Sequence, residues 1–105
     1  MKERTSVSHD EVMVWKLRQR PGFAAHYLKA AIEETDDPQV LLTALRQVAK
    51  ARGGLARVAR AAGLERESLY QALSEKGNPR LSTLAGIMKA VGLKLTVETV
   101  RSRHA

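Results

Sequence analysis

Apolar residues recur at helical spacing along most of this chain. From Phe23 to Glu34 the residues Phe23, Tyr27, Leu28, Ala31 and Ile32 share one side, with Lys29, Glu33 and Glu34 opposite, which predicts an amphipathic helix. Asp37-Pro38 supplies a helix cap followed by the position that tolerates proline, and Leu41, Leu42, Leu45, Val48 and Ala49 form the next stripe, ending near Gly53-Gly54. Two shorter helices are expected at Leu55–Ala62 and Arg66–Glu75, the second closed by Gly77-Asn78-Pro79, and a last one over Leu81–Val91. Near the start, Ser8-His9-Asp10-Glu11 reads as a capping box ahead of Val12, Met13, Trp15 and Leu17, so a short helix is possible there until Pro21-Gly22. After Gly92 the period changes. Leu93, Leu95 and Val97 alternate with Lys94, Thr96 and Glu98, the signature of a half-buried strand.

These elements imply an all-α bundle of about five helices with a short C-terminal β-strand over 93–99. Residues 1–22 read as an N-terminal arm, 23–99 as the helical domain and 100–105 as a tail. A lone strand must find an edge, either across a dimer, on a partner chain, or by tucking against its own bundle.

ARAAGLERESLY, residues 59–70, carries the most specific spacing. In a helix-turn-helix a small residue sits where the two helices meet, a glycine takes the turn, and a branched aliphatic anchors the second helix. Ala59, Gly63 and Leu69 stand at those places within the unit expected over 55–75. The same triplet arises by chance in ordinary helical hairpins. Its surroundings favour a module that docks into a nucleic-acid groove.

Charge adds to that picture. The 105 residues carry a formal net charge of +7, unevenly spread: residues 1–37 hold six Lys and Arg against seven Asp and Glu, and residues 38–105 hold twelve against four. A clustered cationic surplus points to a polyanionic partner, with an anionic membrane surface as the competing explanation. The absence of cysteine removes disulfides, thiolate metal sites and cysteine nucleophiles. No apolar run is long enough for a membrane span and no secretory signal opens the chain, so a cytoplasmic protein is expected. His9, His26 and His104 fall in no metal-ligand spacing, and Ser68 lacks a nucleophile elbow. An enzyme is therefore not expected, and neither is a cofactor or a metal.

LARVARAAGLERESLYQALSEKGNPRLSTL resembles the Cro/repressor-type (XRE-like) helix-turn-helix domains, and ARGGLARVARAAGLERESLYQALSEKGNPRLSTL followed by KLTVE is similar to the addiction-module antidote proteins, antitoxins encoded beside a toxin. The likeness covers about Phe23 to Glu98. It implies a homodimer that binds a double-stranded DNA operator as two half-sites and represses its own operon, and a partner toxin, usually a small ribonuclease. General members of the wider group often open the second helix with a small polar residue and glutamine, where this chain has Glu65-Arg66-Glu67.

Within such a unit Arg66 and Gln71 are the first choices for base contacts, because arginine pairs guanine and glutamine pairs adenine through two hydrogen bonds. Glu67 can accept from a cytosine amino group. Ser68 and Tyr70 suit phosphate or thymine-methyl contacts, although Tyr70 also fits a half-buried core position. Arg57, Arg60, Lys76 and Arg80 read as phosphate clamps, and Asn78 serves the turn or reaches a phosphate. Two other readings share these residues: a stand-alone helix-turn-helix regulator, and a protein-interaction module in which the Phe23–Arg52 hairpin neutralises a partner and the helix-turn-helix is structural.

Overall fold

The computed structural model describes residues 8–100 as six α-helices: α1 His9–Gln19, α2 Phe23–Glu33, α3 Pro38–Ala51, α4 Leu55–Ala62, α5 Arg66–Ala72 and α6 Leu81–Ala90. The tail expected at 100–105 lies, from 101 on, outside the described residues, as does the start of the N-terminal arm.

α3 is the spine. Asp37 caps it by accepting from the Gln39 amide at 2.9 Å, Pro38 occupies its first turn, and Leu42, Ala44, Leu45, Val48 and Ala49 are all buried. So many buried positions on one helix cover more than one face, and α3 packs against α1, α2 and α4. α1 and α2 contribute Leu17, Ala24, Leu28 and Ala31 to this core, and α4 to α6 contribute Val58, Ala59, Leu69, Leu73, Ile87, Met88 and Val91.

α1 begins with a complete capping box, in which the Glu11 amide donates to Ser8 Oγ at 3.0 Å and the Ser8 amide donates to Glu11 Oε1 at 3.1 Å. Its inward face is Val14 and Leu17, while Val12 and Trp15 from the stripe read in the sequence are exposed. That stripe is too sparse to fix the phase of the helix; contact with α3 fixes it.

Two expectations are corrected. The C-terminal β-strand over 93–99 is not present: no strand occurs among the described residues, and Leu95, Val97 and Val100 are exposed. Period-two alternation says which face a strand would bury once it has an edge, and the described residues supply none. Only Leu93 is drawn in, its amide donating to the Met88 carbonyl at 2.9 Å, and Lys29 pairs with Glu98 at 3.4 Å. The second correction is smaller. α5 stops at Ala72, not Glu75: the Ser74 amide and Oγ both turn back to the Gln71 carbonyl, at 3.2 and 2.8 Å, the Gly77 amide donates to the Ser74 carbonyl at 2.9 Å, and Arg46 donates to the Leu73 carbonyl at 3.1 Å, so tight turns and side chains take the carbonyls that a longer helix would have used.

Candidate nucleic-acid interface

The turn between α4 and α5 is built by one residue. Gly63 adopts φ +72°, a left-handed conformation that costs an L-residue about 1–2 kcal/mol. That rotation lets the Leu64 amide return to the Ala59 carbonyl at 2.8 Å and the Gly63 amide to the Arg60 carbonyl at 3.2 Å, satisfying the end of α4. Ala59 and Leu69 are buried on either side of the turn. Gly63 itself stays exposed at the turn between them.

With Leu69 inward and Ala72 half-buried against the core, the other side chains of α5 face solvent. Arg66, Glu67, Ser68, Tyr70 and Gln71 are exposed, and so are Arg57 and Arg60 on α4 and Lys76, Asn78 and Arg80 in the loop before α6. Arg66 donates to Tyr70 Oη at 3.0 Å, and its guanidinium carbon lies 5.3 Å from the centre of the Tyr70 ring. One helical turn separates the two residues, so each restrains the other. Tyr70 remains 41% exposed and is not a core residue.

Ser68, Gln71, Lys76 and Asn78 line a common polar groove between α5 and the start of α6. Gly77 sits on its wall because a side chain there would collide with the Ala72 carbonyl, and its own carbonyl accepts from Gln39 Nε2 of α3 at 3.3 Å. Thr83 completes the groove. Sequence reasoning passed over it, since nothing in PRLSTL distinguishes a groove threonine from any other exposed one. Arg66, Arg57 and Arg60 lie outside this groove. Arg52, at the end of α3, donates to the Pro21 carbonyl at 2.9 Å and ties α3 to the turn after α1.

A second polar cluster joins α1, α2 and α3. The Tyr27 hydroxyl donates to Gln47 Oε1, Gln47 Nε2 donates to Asp10 Oδ1 at 3.0 Å, and Lys50 Nζ donates to Asp10 Oδ2 at 3.1 Å. Burial works to raise the Asp10 pKa, but the hydrogen bonds from Gln47 and Lys50 and the charges of Lys50 and Arg46 outweigh it and hold the carboxyl below its ordinary value. Burial first, and then the Asp10 charge, push the Tyr27 hydroxyl above its own. Gln47 is the buried polar residue of α3, and this network satisfies its amide group.

Residues 15–99 match the model of a family described as "Probable addiction module antidote protein". The chain belongs to this family. A relative in Haemophilus influenzae strain Rd, described as an uncharacterized protein, is 41% identical over 75 residues, spanning 71% of this chain and 75% of that protein. No solved structure matches the chain. Family membership makes the antidote role the frame for the site and implies a toxin partner. No helix of the described residues is long and apolar enough to cross a membrane.

Proposed function

We propose that this antidote-family chain is a sequence-specific DNA-binding antitoxin of the Cro/repressor helix-turn-helix type, which represses its own toxin–antitoxin operon as a homodimer and neutralises a small ribonuclease-type toxin. The observation that carries the DNA-binding half is the asymmetry of α5. A single buried leucine anchors it, and every polar side chain from Arg66 to Gln71 stays in water, flanked by exposed cations on α4 and before α6. In this reading residues 23–99 are the operator-binding domain. Arg66, Glu67, Ser68, Tyr70 and Gln71 meet base edges, while Arg57, Arg60, Lys76, Asn78 and Arg80 grip phosphates and set register. The groove that gathers Ser68, Gln71, Lys76 and Asn78 supports both assignments, because it lets one helix edge contact a base and the adjacent backbone together.

An electrophoretic shift on the DNA upstream of the chain's own gene tests the first half. A discrete complex that competitor DNA of unrelated sequence fails to displace is expected, and equal competition by unrelated DNA would refute sequence-specific binding. Co-expression with the neighbouring gene tests the second half: a co-purifying complex and restored growth are expected.

A further inference from the structure

A cleft that the operator reading does not use is lined in part by Gln39, whose amide donates at 3.3 Å to the Gly77 carbonyl of the polar groove beside α5. It has a volume of about 400 Å³ and lies between the start of α1, the second half of α2 and the first half of α3. Alanines make it: Ala30 and Ala31 on α2 and Ala44 on α3 stand where longer side chains would have closed the gap, and Val40 stays 40% exposed at its edge. Its polar floor, Tyr27 and Gln47, is already hydrogen-bonded, so it has little demand for a polar ligand. Its rim is acidic. Glu34 lines the opening, and Glu33 and Asp36 stand exposed beside it, with no ion-pair partner among the described residues.

We propose that this cleft is the docking site for the toxin, and that the segment it takes is a cationic one with an apolar anchor. The inference rests on the antitoxin reading above and names the surface by which that reading works. An enzyme that holds RNA must present cations where it grips the phosphates. An apolar cleft with carboxylates on its rim complements such a surface in shape and in charge, and repels nucleic acid. A second copy of this chain is a poor occupant, because its surplus of cations over carboxylates lies in residues 38–105. A copy docked through those cations would cover the operator face and, being head-to-tail, would not close into a dimer.

The test uses the full chain, its upstream DNA, and the purified product of the neighbouring gene. Ala30→Arg and Glu34→Lys alter exposed positions on the rim, and circular dichroism checks that both variants fold. Each is expected to weaken binding of the neighbouring product at least tenfold and to leave the shift on upstream DNA unchanged, whereas Arg66→Ala is expected to do the reverse. In NMR titrations the amides of Ala30, Thr43 and Ala44 should move on addition of the neighbouring product, and those of α5 should not. Wild-type binding with both cleft variants unaffected overturns the docking site and leaves the antitoxin reading intact. No binding by the wild-type chain overturns both. Concentration-dependent self-association abolished by the same two variants would assign the cleft to a second copy and refute the proposal.

Discussion

Arg66 is restrained before it meets any ligand. Its guanidinium stacks on Tyr70 and donates to the phenol oxygen, so part of the side-chain entropy that a flexible arginine would lose on contact is already lost. Arg66→Ala is expected to cost about 1–3 kcal/mol of operator affinity and to relax preference at one base pair. Tyr70→Phe should cost less, and should cost nothing further in the Arg66→Ala background, which a double-mutant cycle by operator titration would measure. The pairing was hidden in the sequence: a four-residue interval brings the two side chains within reach, but says nothing about whether the ring faces the core or the guanidinium. Asp10 gives a second residue-level prediction. Its carboxyl titrates below its ordinary value of 3.8 in the folded state, so its stabilising contribution is present above that value and is lost as the pH falls through the folded pKa. Urea unfolding of wild type and Asp10→Asn should therefore give a stability difference that holds near neutral pH and shrinks as the pH falls below about 4. A difference that grows toward acid would mean that the carboxyl is not held in its charged form.

At the scale of elements, the helices that carry their own start and stop signals were legible. Asp37-Pro38 opens α3 and Gly63 closes α4 at the places the sequence marks, because caps and left-handed turns are decided by the residues themselves. Elements that depend on a neighbour were less so. The end of α5 is shaped partly by Arg46 of another helix, the inward face of α1 by contact with α3, and the 93–99 segment by an edge that the described residues do not supply. The candidate site divides the same way. The corner of Ala59, Gly63 and Leu69 follows from local spacing, whereas the groove shared by Gln71, Asn78 and Thr83 exists only because Gly77 lets the loop fold back against Ala72. Gly63→Ala tests the turn directly. A methyl group there would meet nothing within 4 Å, so the cost is backbone strain alone, about 1–2 kcal/mol in chemical denaturation. A neutral result would show that the turn relaxes out of the left-handed region.

Across the whole molecule the charges are sorted by lobe. α3 divides a region whose sequence is slightly acidic from one that is strongly basic, and this supports a division of labour between a protein partner and a duplex. Operator affinity should drop steeply with salt: each phosphate neutralised by a protomer adds about 0.9 to the slope of log affinity against log salt concentration. A flat response would remove the phosphate clamps from the reading. That slope also connects to the internal tethers. Arg46 is bound to the Leu73 carbonyl, Arg52 to the Pro21 carbonyl, Lys50 to Asp10 and Lys29 to Glu98. These four groups still contribute to the long-range field that draws a polyanion in, yet each is already engaged within the chain and must give up that partner before it can grip a phosphate. Capture speed and equilibrium salt sensitivity should consequently report two different tallies of the same cations, the first following the formal charge and the second only the side chains left to reach outward.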